Sequence, residues 1–177
     1  MNRTEIIQIL AIIKVAYPNS YNSLGSEDRK ALVALWEMQF KDYDANVVMN
    51  AINTIIATDT SAFCPSIGRI KDEIYKFSNA NELSEQDAWN AVRKAIRNST
   101  YNSLEEFKKL PEEVQEVIGS SSRLREMATL TDSEVEFAHN GFTKNFNAVM
   151  QRKKEFAMIP SSIKNQIEMT KEKMIDG

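Results

Sequence analysis

Cysteine and histidine are nearly absent from the 177-residue chain, which contains one of each, Cys64 and His139. One cysteine excludes an internal disulfide. One cysteine and one histidine are also too few to form a Cys/His set with the spacing of a structural zinc site. A Ser-His-Asp or Cys-His catalytic site would have to use His139, which stands in a polar stretch of a chain that has no nucleophile elbow. We therefore interpret His139 as a solvated helix residue and Cys64 as a small packed residue, and we expect no catalytic residue and no metal site.

Glycine is also scarce, with five residues at positions 25, 68, 119, 141 and 177. A phosphate-binding loop needs glycines that let backbone N–H groups approach the nucleotide. None of the five lies in the G-x-x-x-x-G-K-[ST] string of a P-loop. The sequence therefore indicates a protein that is not an enzyme and that uses no cofactor.

Neither an excess of positive charge nor a long apolar run is present. The chain contains 22 Lys and Arg residues and 25 Asp and Glu residues, so its net charge is −3. We therefore expect little direct nucleic acid binding. The apolar run at residues 6–13 is interrupted by Gln8, and a bilayer needs roughly 20 apolar residues. No small-residue cleavage site follows the run, so it is no convincing signal peptide. We expect a cytoplasmic protein with no membrane partner.

Helical periodicity dominates what is present, and no segment shows the sustained alternation of a half-buried strand. The chain is therefore predicted to be all-α. Its first half is predicted to form an N-terminal helical domain, residues 1–78, of about four short amphipathic helices. They are a helix at residues 4–17, a helix capped by Ser26 that carries Trp36, a helix at residues 45–57 capped by Asp44, and a helix capped by Ser66.

A small polar stretch, residues 79–83, is the predicted linker to a looser C-terminal helical region, residues 84–177. That region opens with a capping box at Ser84 and Asp87, before a helix that we expect to end at Asn98 and Ser99. Further helices are expected at residues 104–109, 112–118 and 132–156, the last interrupted or weakened at Asn140 and Gly141, and after Pro160.

Three motifs of the first half follow one another in a recognisable order. Residues 16–19 read Ala-Tyr-Pro-Asn after an Ile-rich helix, residues 40–44 read Phe-Lys-Asp-Tyr-Asp after the Trp36 helix, and residues 63–70 read Phe-Cys-Pro-Ser-Ile-Gly-Arg-Ile. In this order and separation, residues 1–78 resemble the replicative helicase loader/inhibitor family found in phages of Gram-positive bacteria.

The second half resembles the longer members of the same phage group. It carries an Ala-Trp helix at residues 88–92, Leu-Pro-Glu-Glu-Val at residues 110–114, and a Phe-rich helix that ends in a basic cluster. The resemblance implies a non-enzymatic adaptor without an ATPase of its own, whose C-terminal region contacts the hexameric replicative helicase. It leaves loading and inhibition of the helicase as alternatives. It further implies that the protein acts in a bacterial host cell, with the phage's origin-binding replisome organiser or the host helicase loader as other partners.

Six residues of the second half are candidates for the helicase contact. Phe142, Phe146 and Met150 form a stripe on one helix, and the basic residues Arg152, Lys153 and Lys154 border it. Such a stripe is typical of a helix that binds in a groove of a partner, but it is equally typical of a helix packed in a core. The sequence leaves both interpretations open.

Phe63 and Arg69 are the candidates of the first half. The structural interpretation of their motif, which we favour, is a turn and an N-cap that position the fourth helix. The functional alternative is an exposed edge that contacts a partner. Trp36 and Trp89 lie on apolar helical stripes and are predicted to be mostly buried.

A helix-turn-helix-like regulatory protein that binds DNA is the alternative function. Its reading helix would be the third or the fourth of the first domain. Acidic residues lie beside that position, at Asp59, Asp72 and Glu73, and they disfavour contact with phosphates.

Overall fold

The predicted all-α class is confirmed by a computed structural model. It describes residues 1–21 and 24–175, with the side chains of residues 172, 173 and 175 outside the description. Within these residues there are nine α-helices, one short 3-10 helix and no strand. The helices are α1 (Arg3–Ala16), α2 (Ser26–Phe40), α3 (Ala45–Thr58), α4 (Ile67–Ser78), α5 (Glu85–Lys109), α6 (Glu112–Ile118), α7 (Ser121–Met127), α8 (Asp132–Met158) and α9 (Ser161–Ile175), and the 3-10 helix is Pro18–Ser20.

The chain forms two compact units. The first consists of Met1–Ala80 together with Ala157–Gly177, and the second is Asn81–Phe156. The sequence-based division into residues 1–78, 79–83 and 84–177 stays a prediction about folding domains. It placed the last residues of the chain in the second part, whereas the structure groups Ala157–Gly177 with the first unit.

The core of the first unit is built from one face of each of helices α1 to α4. α1 contributes residues at helical spacing, and α2 contributes two aromatic rings whose centroids lie 4.9 Å apart, Trp36 and Phe40. The predicted burial of Trp36 is confirmed. The other buried members are Ile6, Ile9, Ile13, Tyr17, Val48, Ala51, Ile52, Ile55, Ile70 and Ile74.

The second unit has its own core, centred on Trp89 of α5. The predicted burial of this residue is confirmed as well. Short helices α6 and α7 cover one part of the core, and α8 contributes its aromatic residues. The buried members besides Trp89 are Ala88, Val92, Ala95, Leu110, Val114, Ile118, Leu124, Met127, Phe142 and Phe146.

Side-chain caps begin most of the early helices where the sequence predicts them. The Asp44 carboxylate accepts the N–H of Asn46 at the start of α3, and the Ser66 hydroxyl accepts the N–H of Arg69 at the start of α4. Ser84 caps α5 in the same way. The prediction of Ser26 as an N-cap is wrong, because Ser26 is already the first residue of α2 and Gly25 is the N-cap.

Two predicted interruptions of the long helices are wrong. α5 does not end at Asn98 and Ser99. The buried Ser99 hydroxyl donates to the carbonyl of Ala95, 2.6 Å away, so this residue is accommodated inside the helix. The helix only kinks, at Asn102, where φ is −117° and ψ is 30°. α8 likewise passes through residues 140 and 141 without a break. None of the helices in the part of the chain described is both long and apolar enough to cross a membrane.

A short helix that the sequence analysis did not predict, α7, follows α6 closely. Gly119 ends α6 with φ at 85°, a left-handed conformation that favours glycine. The next residue, Ser120, then accepts the N–H of Arg123 and caps α7. The polar stretch at residues 119–122 is therefore both the end of one helix and the beginning of the next.

The capping assignment predicts different stabilities for two serine substitutions. Ser66→Ala removes the cap of α4 and is expected to lower the free energy of unfolding by about 1 kcal/mol. Ser26→Ala, the matched control, changes a first-turn residue that caps nothing and should stay within about 0.5 kcal/mol of the unchanged protein. Urea denaturation followed by circular dichroism measures both, and equal losses would contradict the assignment.

Candidate partner-binding site

The loop between α3 and α4 is held by side chains that bond to its backbone. The Asp59 carboxylate accepts the N–H of Ser61 at 2.9 Å, and the Ser61 hydroxyl accepts the N–H of Phe63 at 3.1 Å. The next N–H, of Cys64, donates to the hydroxyl of Ser20 at 3.3 Å. We call residues 59–66 the Phe63 loop. Its conformation is fixed on both sides of the residue that gives it its name.

The Phe63 side chain itself is 81% exposed, although the backbone around it is held in place. An exposed aromatic ring on a pre-ordered backbone loses little conformational entropy on binding, and aromatic residues are frequent anchors of protein interfaces. Arg69 lies on α4 and pairs with Asp59, with 3.6 Å between the guanidinium nitrogen and the carboxylate oxygen. The loop thus offers one apolar anchor and one half-exposed cation.

Cys64 is a half-buried free cysteine. Its sulfur lies 3.2 Å from the hydroxyl oxygen of Tyr21. Burial raises the pKa of the Cys64 thiol, although the hydrogen bond with Tyr21 acts in the opposite direction. Burial also raises the pKa of the Tyr21 hydroxyl. Both raised pKa values favour the neutral forms, and the contact packs the Phe63 loop against Tyr21.

The aromatic stripe of α8 is part of the core of the second unit. Phe142 is buried, Phe146 is 2% exposed, and Met150 is half-buried against the same cluster. The ring centroids of Phe142 and Trp89 lie 5.3 Å apart, and those of Phe142 and Phe146 lie 5.7 Å apart. Of the two interpretations that the sequence leaves open, the burial supports core packing. The two rings cannot contact a partner while the unit stays closed.

His139 takes part in the same arrangement. Its imidazole stacks on Trp89, with 4.5 Å between ring centroids and an interplanar angle of 16°. The interpretation of His139 as a solvated helix residue is therefore wrong, because one face of the ring is covered by the indole. One turn further along α8, Phe142 packs on the same indole.

Two residues of the basic cluster are engaged inside the second unit. Arg152 pairs with Glu116 at 3.0 Å, and Lys153 pairs with Glu113 at 2.6 Å. The hydrogen bond from Lys153 lowers the pKa of Glu113 and raises that of Lys153. Lys154 is half-buried. The cluster therefore pins α8 to α6, and less of its charge is available to a partner than the sequence suggests.

A buried cation in the first unit was not anticipated from the sequence. Lys71 is 4% exposed, and its ammonium donates to the side-chain oxygen of Gln39 at 2.6 Å and to the carbonyl of Met158 at 2.8 Å. Burial lowers the pKa of Lys71. Nearby, the N–H of Ser161 donates to the Asp42 carboxylate at 2.8 Å and lowers its pKa. These contacts attach the last segment of the chain to the first unit.

An apolar groove between α1 and α2, with a volume of about 210 Å³, was also missed. Its apolar lining consists of Ile7, Leu10, Ala11, Leu24, Leu32 and Val33. Two charged residues, Lys14 and Arg29, complete it with Tyr21. The available signal was the composition of α1, in which apolar residues occur on more than the one face that the core requires.

No grouping of ligand residues points to a metal. Among the residues that the structure describes, no three His, Cys, Asp or Glu side chains lie together as metal ligands would. Two surfaces of the described residues are suited to protein contact: an exposed aromatic residue on a fixed loop, and an apolar groove with two cations. Both belong to the first unit.

Comparison with known families distinguishes the first unit from the second. Residues 1–71 match the family model of the N-terminal domain of the phage SPP1 helicase loader. The match supports a likeness to a helicase loader family over residues 1–71 of the chain. The matched region includes both the Phe63 loop and the α1–α2 groove. No curated protein and no solved structure gives a significant match.

The assignment of the α8 stripe to the core predicts the effect of two phenylalanine substitutions. Phe146→Ala should lower the free energy of unfolding of the second unit by about 3–5 kcal/mol, because it leaves a cavity in a closed core. Phe137→Ala, on the same helix but 81% exposed, should change it by less than about 0.5 kcal/mol. Chemical denaturation followed by tryptophan fluorescence measures both, and a small effect of Phe146→Ala would restore the stripe as a docking surface.

Proposed function

We propose that the protein is a non-enzymatic replication adaptor that binds a hexameric replicative DNA helicase and loads or restrains it during phage DNA replication. The observation that carries the proposal is the match of residues 1–71 to the N-terminal domain of a helicase loader. The lack of a P-loop in the sequence agrees with an adaptor that leaves ATP hydrolysis to the helicase.

We place the helicase contact at the exposed members of the predicted site. Phe63 is the anchor, because its ring is exposed and its backbone is held, and Arg69 lies beside the loop on α4. Arg152, Lys153 and Lys154 have a smaller role, in which the exposed parts of their charges steer association. Phe142 and Phe146 act only through the stability of the second unit, and Met150 packs with them.

DNA reading by the first unit, the alternative function, is disfavoured by the charges on its helices. α3 carries no basic residue. Each of the three basic residues of α4 has a partner within the unit: Arg69 pairs with Asp59, Lys71 is buried, and Lys76 pairs with Asp72 and Glu73. A helix that reads a DNA groove needs free cations for the phosphates.

The phage's origin-binding replisome organiser and the host helicase loader remain proposed further partners in the bacterial cytoplasm.

The proposal is tested by binding of the full chain to purified hexameric helicase, with the phage-encoded and host-encoded enzymes examined separately by biolayer interferometry. We expect binding to one of them, and we expect the chain alone to hydrolyse no ATP. Phe63→Ala should weaken binding by about 2 kcal/mol, roughly thirtyfold, mainly through faster dissociation. Phe137→Ala is the matched control, since its ring is equally exposed but lies in the second unit.

Three outcomes would contradict parts of the proposal. Failure to bind either helicase would overturn the adaptor function. Equal binding by the Phe63→Ala and Phe137→Ala variants would overturn the contact assignment alone. Tight binding to duplex DNA, falling steeply with salt, would favour the DNA-binding alternative.

A further inference from the structure

The α1–α2 groove combines an apolar lining with charge of one sign. Two of the nine residues that line it are charged, and both are cations, Lys14 and Arg29. None of the described residues that line the groove is acidic, although the chain as a whole has a net charge of −3. The charge of the groove lining is therefore positive, opposite in sign to the net charge of the chain.

Neither cation is neutralised within the first unit. In the part of the chain that the structure describes, Lys14 and Arg29 make no ion pair, and both are exposed. Acidic residues nearby along the chain have other partners. Glu27 pairs with Lys30 at 2.9 Å, and the Asp28 carboxylate accepts the N–H of Gly25 at 3.2 Å. The positive charge is thus available to a ligand.

One wall of the groove is a helix with more apolar surface than its own core uses. α1 buries Ile6, Ile9 and Ile13, yet Ile7 on the groove side remains 50% exposed. Helices that are apolar on more than one face are normally covered on each of them. Two neighbouring helices with an apolar groove between them can bind a third helix in that groove.

We propose that the α1–α2 groove is the docking site for an acidic amphipathic helix of a partner protein. Apolar side chains at positions i, i+3, i+4 and i+7 of that helix fill the groove, and carboxylates beside them pair with Lys14 and Arg29. A basic helix would place like charges together, and a neutral one would leave both cations without partners. The inference goes beyond the adaptor function and holds whichever protein supplies the helix.

The direct test uses two designed peptides of about 15 residues and the full chain. Both peptides carry leucine at the i, i+3, i+4 and i+7 positions, and the remaining positions are glutamate-rich in one and lysine-rich in the other. Fluorescence anisotropy of the labelled peptides measures the two dissociation constants. We expect the acidic peptide to bind at least about tenfold more tightly than the basic one, with a preference that decreases as salt is added.

Variants of the chain locate the binding. Ile7→Glu should weaken binding of the acidic peptide at least about tenfold, because it places a carboxylate in the groove, whereas Val15→Glu should leave binding unchanged. Val15 is the matched control, because it lies on the same helix and is 83% exposed but does not line the groove. The double substitution Lys14→Glu with Arg29→Glu should reverse the preference between the two peptides. All these side chains are exposed, and unchanged thermal unfolding confirms that the fold is retained.

Several results would overturn the inference. Equal affinity for the acidic and basic peptides would show that the cations do not select the ligand. Normal binding by the Ile7→Glu variant would show that the peptide does not bind in the groove. A dimer in analytical ultracentrifugation that Ile7→Glu dissociates, without peptide binding, would identify a second copy of the chain as the occupant. Each of these results leaves the helicase-binding assay and the Phe63 substitution unaffected, so failure here is distinguishable from failure of the adaptor proposal.

Discussion

The packing of Phe142 against Trp89, with Phe146 stacked on Phe142, makes the aromatic stripe of α8 part of a core and not a binding surface. These rings close the core of the second unit, where Phe142 lies 5.3 Å from the indole and Phe146 is almost fully buried. A cavity in such a core costs several kcal/mol, which is a large part of the stability of a unit this small. The aromatic stripe of α8 therefore stabilises the fold and is unavailable to a partner.

The first unit carries two apolar surfaces that its own core does not cover, the Phe63 ring and the α1–α2 groove. The Phe63 ring is exposed on a loop whose N–H groups are held by Asp59, Ser61 and Ser20. The α1–α2 groove leaves Ile7 half-exposed beside two cations. The backbone of the Phe63 loop is already held in place, so binding there needs little rearrangement. This is the physical basis for expecting protein contact at the first unit, which is also the part that matches a helicase loader domain.

The sequence was informative wherever local chemistry decides the structure. Helical periodicity predicted the all-α class and the buried tryptophans, and the caps at Asp44, Ser66 and Ser84 follow from short-range hydrogen bonds. Ser26 failed as a cap because Gly25 can occupy that position while its N–H bonds to Asp28, so two neighbouring residues competed for one role.

Features that depend on residues distant in the chain were not predictable in this way. Nothing local indicates that Lys71 is buried against the carbonyl of Met158, 87 positions away. The stripe at Phe142 and Phe146 has the same spacing whether it packs in a core or binds a partner, and only the position of Trp89 decides between them. The groove has two walls from different helices, so the composition of α1 alone signals excess apolar surface but not its shape.

Hydrogen–deuterium exchange of the full chain, measured alone and with saturating helicase, distinguishes a helicase contact on the first unit from one on the α8 stripe. Within the Phe63 loop, the N–H groups of Ser61, Phe63 and Cys64 donate to side chains and not to a helix backbone, so covering them should slow their exchange clearly. We expect slower exchange at residues 59–66 and unchanged exchange at residues 142–149. Unchanged exchange in the loop, together with altered exchange at residues 142–149, would contradict it and would show that the second unit opens to bind the helicase.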